Sequence, residues 1–186
     1  MSAPTVQLHD KAFEIYLSEE AIGRVVTSLA ARINHDYAGK TPLFLTVLNG
    51  AFMFAADLLK EINISCEVSF IKLASYQNTQ STGTIKELLG LNEEVTNRHV
   101  IILEDIVDTG HTVSAILNKL QEKGTASVEI TCLLLKPDCL QHPLELPYAG
   151  ISIPNDFVVG YGLDYNGLGR NLRNIYKLKP DDGIRP

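Results

Sequence analysis

Val100-Ile101-Ile102-Leu103-Glu104-Asp105-Ile106-Val107-Asp108-Thr109-Gly110-His111-Thr112 is the stretch on which the reading of this chain turns. It starts as an unbroken apolar run, the composition of a strand buried on both faces of a parallel sheet. The adjacent carboxylates Glu104 and Asp105 end that run, and Asp108 to Thr112 follow as a turn. Beyond it, Val113, Ile116, Leu117 and Leu120 recur at helical spacing. Strand, loop and helix in that order predict an α/β protein. In an open α/β sheet, ligands bind in the crevice beyond the carboxyl ends of the strands.

The loop divides into two chemistries. Thr109 and Thr112 offer hydroxyls, and Gly110 lets backbone N–H groups approach an anion at a helix N-terminus, which suits a phosphate. Ionised Glu104 and Asp105 only accept, which suits the hydroxyls of a ribose. Asp108 lies between the two halves, so a ribose with a 5′-phosphate would satisfy the whole loop. The plain alternative is an ordinary turn with solvated carboxylates. Three acids crowded beside a buried strand count against it, because they repel one another unless something cationic or hydroxylated binds. An aspartic-protease Asp-Thr-Gly is also disfavoured, because the helical pattern downstream does not suit that all-β setting.

Working outward, 186 residues fit one domain with a small appended hood. An apolar content of 45% and a charged content of 20% describe an ordinary globular chain, long enough to bury a core. A net charge of −6 and a pI near 5.3 argue against a nucleic-acid groove. Cys66, Cys132 and Cys139 are odd in number and irregular in spacing, which points to reduced thiols, a cytoplasmic setting and no cysteine metal site. Cys66 and Cys132 read as small core residues. No signal peptide or membrane-length apolar run is evident.

Ser18, Glu19 and Glu20 read as an N-cap and acidic first turn. Ile22, Val25, Val26, Leu29, Ala30 and Ile33 then form one apolar face of a helix that ends before Gly39. Leu43 to Leu48 reads as a buried strand broken by Asn49-Gly50, with a helix from Ala51 to Glu61. Val68 to Leu73 and Val128 to Leu135 are further strands. Residues 74 to 84 are polar and nearly free of aliphatics, the composition of either a functional lid or a passive loop. Leu88 to Asn97 reads as a connector, and Gly124 as the residue closing the central helix.

The Glu104 to Thr112 segment resembles the PRPP-binding signature of type I phosphoribosyltransferases, and within them the hypoxanthine-guanine branch. The resemblance extends from about Leu43 to Leu178. It implies a mostly parallel central sheet flanked by helices, with a hood formed from about residues 1–17 and 150–180. It also implies a set of roles. Glu104 and Asp105 would hold the ribose hydroxyls and a magnesium ion. Thr109, Gly110, His111 and Thr112 would hold the 5′-phosphate, and Asp108 would take or stabilise the N7 proton of the base. Asn49 and Gly50 would hold pyrophosphate through backbone groups, across a cis peptide bond between Leu48 and Asn49. Ser75 and Tyr76, followed by Ser81-Thr82-Gly83, would belong to a lid that shuts out water.

The base-recognition roles follow from the same resemblance. Lys136 would donate to the exocyclic oxygen of a 6-oxopurine and reject a 6-aminopurine, because an ammonium cannot accept. Phe157 would stack on the purine, and the Val158 backbone would read its edge. Asp164 would serve magnesium and the base, while Arg170 would pair with pyrophosphate. Asn49 and His111 both depart from the family, which often has Lys at those positions. The implied activity is purine salvage by a magnesium-dependent homodimer or homotetramer, acting on PRPP and hypoxanthine or guanine, with no nucleic-acid or membrane partner. The alternatives on this fold are a nucleotide-sensing regulator, against which the acidic pI counts, and an inactive relative, against which Asp108 and Lys136 count.

Overall fold

A computed structural model of the protein describes residues 4–74, 86–89 and 93–180. Its centre is a six-stranded sheet. In chain order the strands and helices of this layer are α1 (Glu19–Asp36), β3 (Leu43–Leu48), α2 (Phe52–Glu61), β4 (Glu67–Ala74), β5 (Lys86–Leu89), β6 (His99–Val107), α3 (His111–Glu122), β7 (Ser127–Leu135) and β8 (Tyr148–Ser152). The spatial order is β5-β4-β3-β6-β7-β8. All neighbours are parallel except β5, which runs antiparallel to β4. The chain winds one way from β3 to β4 and the other way from β6 to β7. The order therefore reverses between β3 and β6, where an open α/β sheet leaves its ligand crevice.

The apolar runs explain this sheet. Leu43 to Leu45 and Val100 to Leu103 are essentially inaccessible, because α1 and α2 cover one face and α3 covers the other. Phe44, Phe54, Leu58 and Ile101 meet on the first face, and Leu43, Ile102, Val113 and Leu120 on the second. Each large buried side chain of this kind stabilises the fold by about 1.5–3 kcal/mol. Ser18 caps α1 as its sequence suggested, with its hydroxyl accepting from the Ala21 N–H at 3.3 Å. Gly124 follows α3 with φ +72, the left-handed conformation that closes a helix.

A second, four-stranded antiparallel sheet forms the hood. It comprises β1 (Thr5–Leu8), β2 (Lys11–Leu17), β9 (Val158–Val159) and β10 (Ile175–Leu178), in the order β1-β2-β10-β9. Both ends of the described chain thus contribute to it. Its core is Leu8, Phe13, Val159 and Tyr176. Two expectations differ from the structure. Residues 148–152 lie in the main sheet as β8, parallel to β7, so the C-terminal part of the hood begins near Phe157. Leu88 and Leu89 belong to β5 rather than to a connector, a pairing with β4 that four residues of local pattern do not reveal.

Candidate active site

The strand β6 runs past its two carboxylates to Val107, because Ile106 and Val107 keep their pairing with Leu134 and Leu135 of β7. Glu104 and Asp105 are therefore buried within the strand rather than ending it, as their place after the apolar run had suggested. Adjacent strand residues face opposite ways. Glu104 lines a cavity of about 80 Å³ together with Ile106, Val107, Asp108, Thr109 and Gly110. Asp105 faces Gly50 instead. Burial, reinforced by the neighbouring Asp105 charge, pushes Glu104 well above the ordinary carboxylate range. Burial also pushes Asp105 up to about 6, against the opposing pull of the Ile106 N–H, which donates to it at 2.8 Å, and of Arg170. The Glu104 Oε2 atom is buried with no hydrogen-bond partner among the described residues.

Asp108 to Thr112 turn from β6 into α3. Gly110 stands at the N-cap with φ +84, a conformation costly for any side chain, and the first turn of α3 lines the cavity through Thr112 and Val113. Leu140 and Leu144 press against the back of Gly110. The segment after β7 also braces the turn. The Gln141 N–H donates to the Thr109 carbonyl at 3.1 Å, and His111 Nε2 lies 2.7 Å from Gln141 Oε1. His142 stacks on the His111 ring, 5.9 Å between centroids.

The next strand end supplies the ammonium. Lys136 follows β7 and is held there by donation of its own N–H to the Val107 carbonyl at 2.9 Å. Its side chain is only 9% exposed, and Nζ lies 2.7 Å from Asp108 Oδ2 and 3.2 Å from Asn155 Oδ1. Asp108 is 45% exposed and also accepts from the Cys139 thiol. Phe157 is half exposed and set edge-on to Tyr165 and tilted against Phe13, leaving much of its ring free. Val158 lies on the outermost strand of the hood. The Leu178 N–H donates to the Phe157 carbonyl, so ladder alternation turns the next residue's N–H and C=O outward.

The Leu48–Asn49 peptide bond is cis, as the resemblance implied. Beyond it, three layers of the molecule approach as closely as backbone allows. A Cβ on Gly50 would strike the Asp105 carboxylate, and a Cβ on Gly162 would strike the Gly50 carbonyl. Arg170 completes this corner. It donates to the Gly162 carbonyl at 2.7 Å and pairs with Asp164 at 2.6 Å. Asp164 also accepts from the Gly167 N–H at 2.7 Å, so its carboxylate is occupied by Arg170 and its own turn. Among the described residues no three His, Cys, Asp or Glu side chains are gathered around one point, so Glu104, Asp105 and Asp164 do not form a ready-made cage.

The structure thus gathers Asp108 with Lys136, Asp105 with Gly50, and Asp164 with Arg170, all at the strand ends around the switch in sheet order. Ser75 and Tyr76 lie outside the described residues. Reading the sequence alone passes over Asn155 and Gln141. Each is a neutral amide in a loop, and its partner is 19 or 30 residues away, so no local pattern marks it.

Residues 13–166 match the model of the phosphoribosyl transferase domain. The chain is 39% identical over 175 residues to the hypoxanthine-guanine phosphoribosyltransferase of Staphylococcus aureus, covering 94% of this chain and 98% of that one. It superposes on a crystal structure of the hypoxanthine phosphoribosyltransferase of that organism with a TM-score of 0.85, at 40% identity over 90% of this chain and 91% of the other. The hypoxanthine phosphoribosyltransferase of Trypanosoma cruzi gives 0.84 at 35% identity, over 89% and 95%.

Proposed function

Since the chain belongs to the phosphoribosyl transferase family, we infer that it salvages purines, transferring the 5-phosphoribosyl group of PRPP to hypoxanthine or guanine. The products are IMP or GMP and pyrophosphate. One juxtaposition supports this reading above the others: a buried ammonium and a half-exposed carboxylate meet 2.7 Å apart beside a phosphate-sized turn. The ammonium of Lys136 suits the 6-oxygen of the base, and Asp108 would take or stabilise the N7 proton. As the C1′–oxygen bond to pyrophosphate breaks and the bond from purine N9 forms, charge grows at both ends. An oxocarbenium-like ribosyl centre lies between them, by analogy with glycosyl transfer.

The remaining roles follow from position. The α3 N-terminus with Thr109, Gly110, His111 and Thr112 would hold the 5′-phosphate. Glu104 and Asp105 would take the ribose hydroxyls, and the Asn49-Gly50 backbone with Arg170 would face pyrophosphate, which requires Arg170 to share or leave its contact with Asp164. Phe157 and Val158 would bind the face and edge of the base. The orphaned, buried Oε2 of Glu104, beside Asp105, has the oxygen chemistry that a magnesium ion takes, with Asp164 as a further donor. When bound, magnesium neutralises charge on the departing pyrophosphate.

Among the described residues no helix is long and apolar enough to cross a membrane. We place the enzyme in the cytoplasm as a homodimer or homotetramer. Phe52, Val68 and Phe70 are large, exposed apolar residues available to such an interface. The deciding experiment is a base panel. Protein, PRPP and magnesium are mixed in turn with hypoxanthine, guanine, xanthine, adenine, uracil and orotate. Nucleotide from hypoxanthine or guanine but not adenine is expected. Nucleotide binding without product from any base would favour an inactive or regulatory relative.

A further inference from the structure

The ammonium of Lys136 has three protons, and the structure accounts for two of them. Asp108 Oδ2 takes one at 2.7 Å and Asn155 Oδ1 takes another at 3.2 Å, while no other acceptor for Nζ is present among the described residues. An ammonium only donates, so the Asn155 amide must present its oxygen to Lys136 and turn its NH₂ away. Lys136 is fixed at its base by the N–H to Val107, and its stem is buried. With two of three tetrahedral directions occupied, the third N–H has one direction left. No described residue takes the proton in that direction, which leaves it for a ligand.

We propose that Asn155 is a positioning residue for purine recognition: it fixes the place of the Lys136 ammonium and takes its second proton, so that one proton remains for the 6-oxygen of the base. Asp108 alone would leave Nζ free to pivot about that one contact on its flexible stem and to share its other two protons with solvent. Asn155 removes that freedom. It also ties Lys136, at the end of β7, to the loop two residues before Phe157, so the group that reads the edge of the base and the group that covers its face move together. A neutral amide is suited to this task. It accepts a hydrogen bond without adding charge beside the Lys136–Asp108 pair.

The inference rests on the purine-salvage reading, and the test separates the two. Dissociation constants are measured for inosine 5′-monophosphate and for purine riboside 5′-monophosphate, which lacks only the 6-oxygen. The unmodified protein should favour the first by roughly 10- to 100-fold, the worth of one hydrogen bond to a charged donor. In Asn155→Leu that ratio should collapse to about threefold or less, with purine riboside 5′-monophosphate bound as before. In Asn155→Asp, which keeps an acceptor in place, the ratio should stay within about threefold of the unmodified value. A ratio unchanged in Asn155→Leu overturns the proposal. Equal weakening of both nucleotides in that variant also overturns it, since it would show Asn155 merely anchoring the loop. An unmodified protein with no preference between the two nucleotides would refute the underlying reading of Lys136 itself.

Discussion

The floor of the site and its hood are built in opposite ways. The floor draws Glu104 to Thr112 from one unbroken stretch, held by parallel strands and covered on both faces. The hood is stitched from chain ends far apart in sequence. β2 pairs with β10, the Tyr165 hydroxyl donates to Asp10 at 2.8 Å, and Arg173 pairs with Glu19 at 3.1 Å. The floor has two large apolar clusters behind it, whereas the core of the hood is four residues. The Asp108–Lys136 pair proposed for the chemistry therefore sits on the layer with more packing behind it, and Phe157 and Val158, proposed to meet the face and edge of the base, sit on the layer that costs less to open.

This division can be broken at four points. The largest effect belongs to the floor. Asp108→Asn should lower kcat by roughly 10²–10⁴-fold, the range for a positioned proton acceptor, while PRPP binding measured by calorimetry stays close to unmodified. Turnover near normal would remove Asp108 from its role. Next is the hood. Phe13 is fully buried there, and Phe13→Ala should cost about 3–5 kcal/mol. Hydrogen exchange should rise in β1, β2, β9 and β10 while β3, β6 and β7 keep their protection. A uniform rise would show that the two layers unfold as one.

A smaller effect concerns the buried acid. The Asp105 carboxyl is raised to about 6 from an ordinary 3.8, so the fold loses nothing to it below about pH 4 and progressively more as pH climbs through 6. In protein freed of ligands and treated with a chelator, Asp105→Asn should stabilise by about 1–3 kcal/mol above pH 7 and by little at pH 4. Urea unfolding at both pH values decides this, and an equal gain at each would mean that charge burial is not the cause. The smallest effect is at the phosphate turn. His111 is exposed and braced by Gln141, so His111→Lys should change the KM for PRPP by only about two- to fivefold, equivalent to about 0.3–1 kcal/mol at a helix N-terminus. A larger shift would give His111 a direct part in holding phosphate.

The same contrast governs what could be read without a structure. Buried parallel strands announce themselves as apolar runs, so β3, β6 and β7 and the loop after β6 were legible from Leu43, Val100 and Val128 onward. The hood was not legible in this way, because β2 pairs with β10 about 160 residues away and no local spacing encodes that partner. The burial of Glu104 and Asp105 was also hidden. Polar residues ordinarily end a strand, and only the pairing of Ile106 and Val107 with β7 carries this one past them. Asn155 and Gln141 were silent because a neutral amide in a loop is common everywhere.

The interleaving of β2 with β10 also sets a timetable for the protein's birth. On a ribosome adding about 5–20 residues per second, roughly 8–30 seconds pass between the emergence of Leu17 and that of Ile175. Throughout that interval the β1–β2 hairpin has Phe13 without its later packing partners and one strand edge without its neighbour. An unpaired, partly apolar edge is the kind of surface that recruits other chains. The hood is thus the last part of the molecule to be finished and the part of the nascent chain with most to gain from a chaperone.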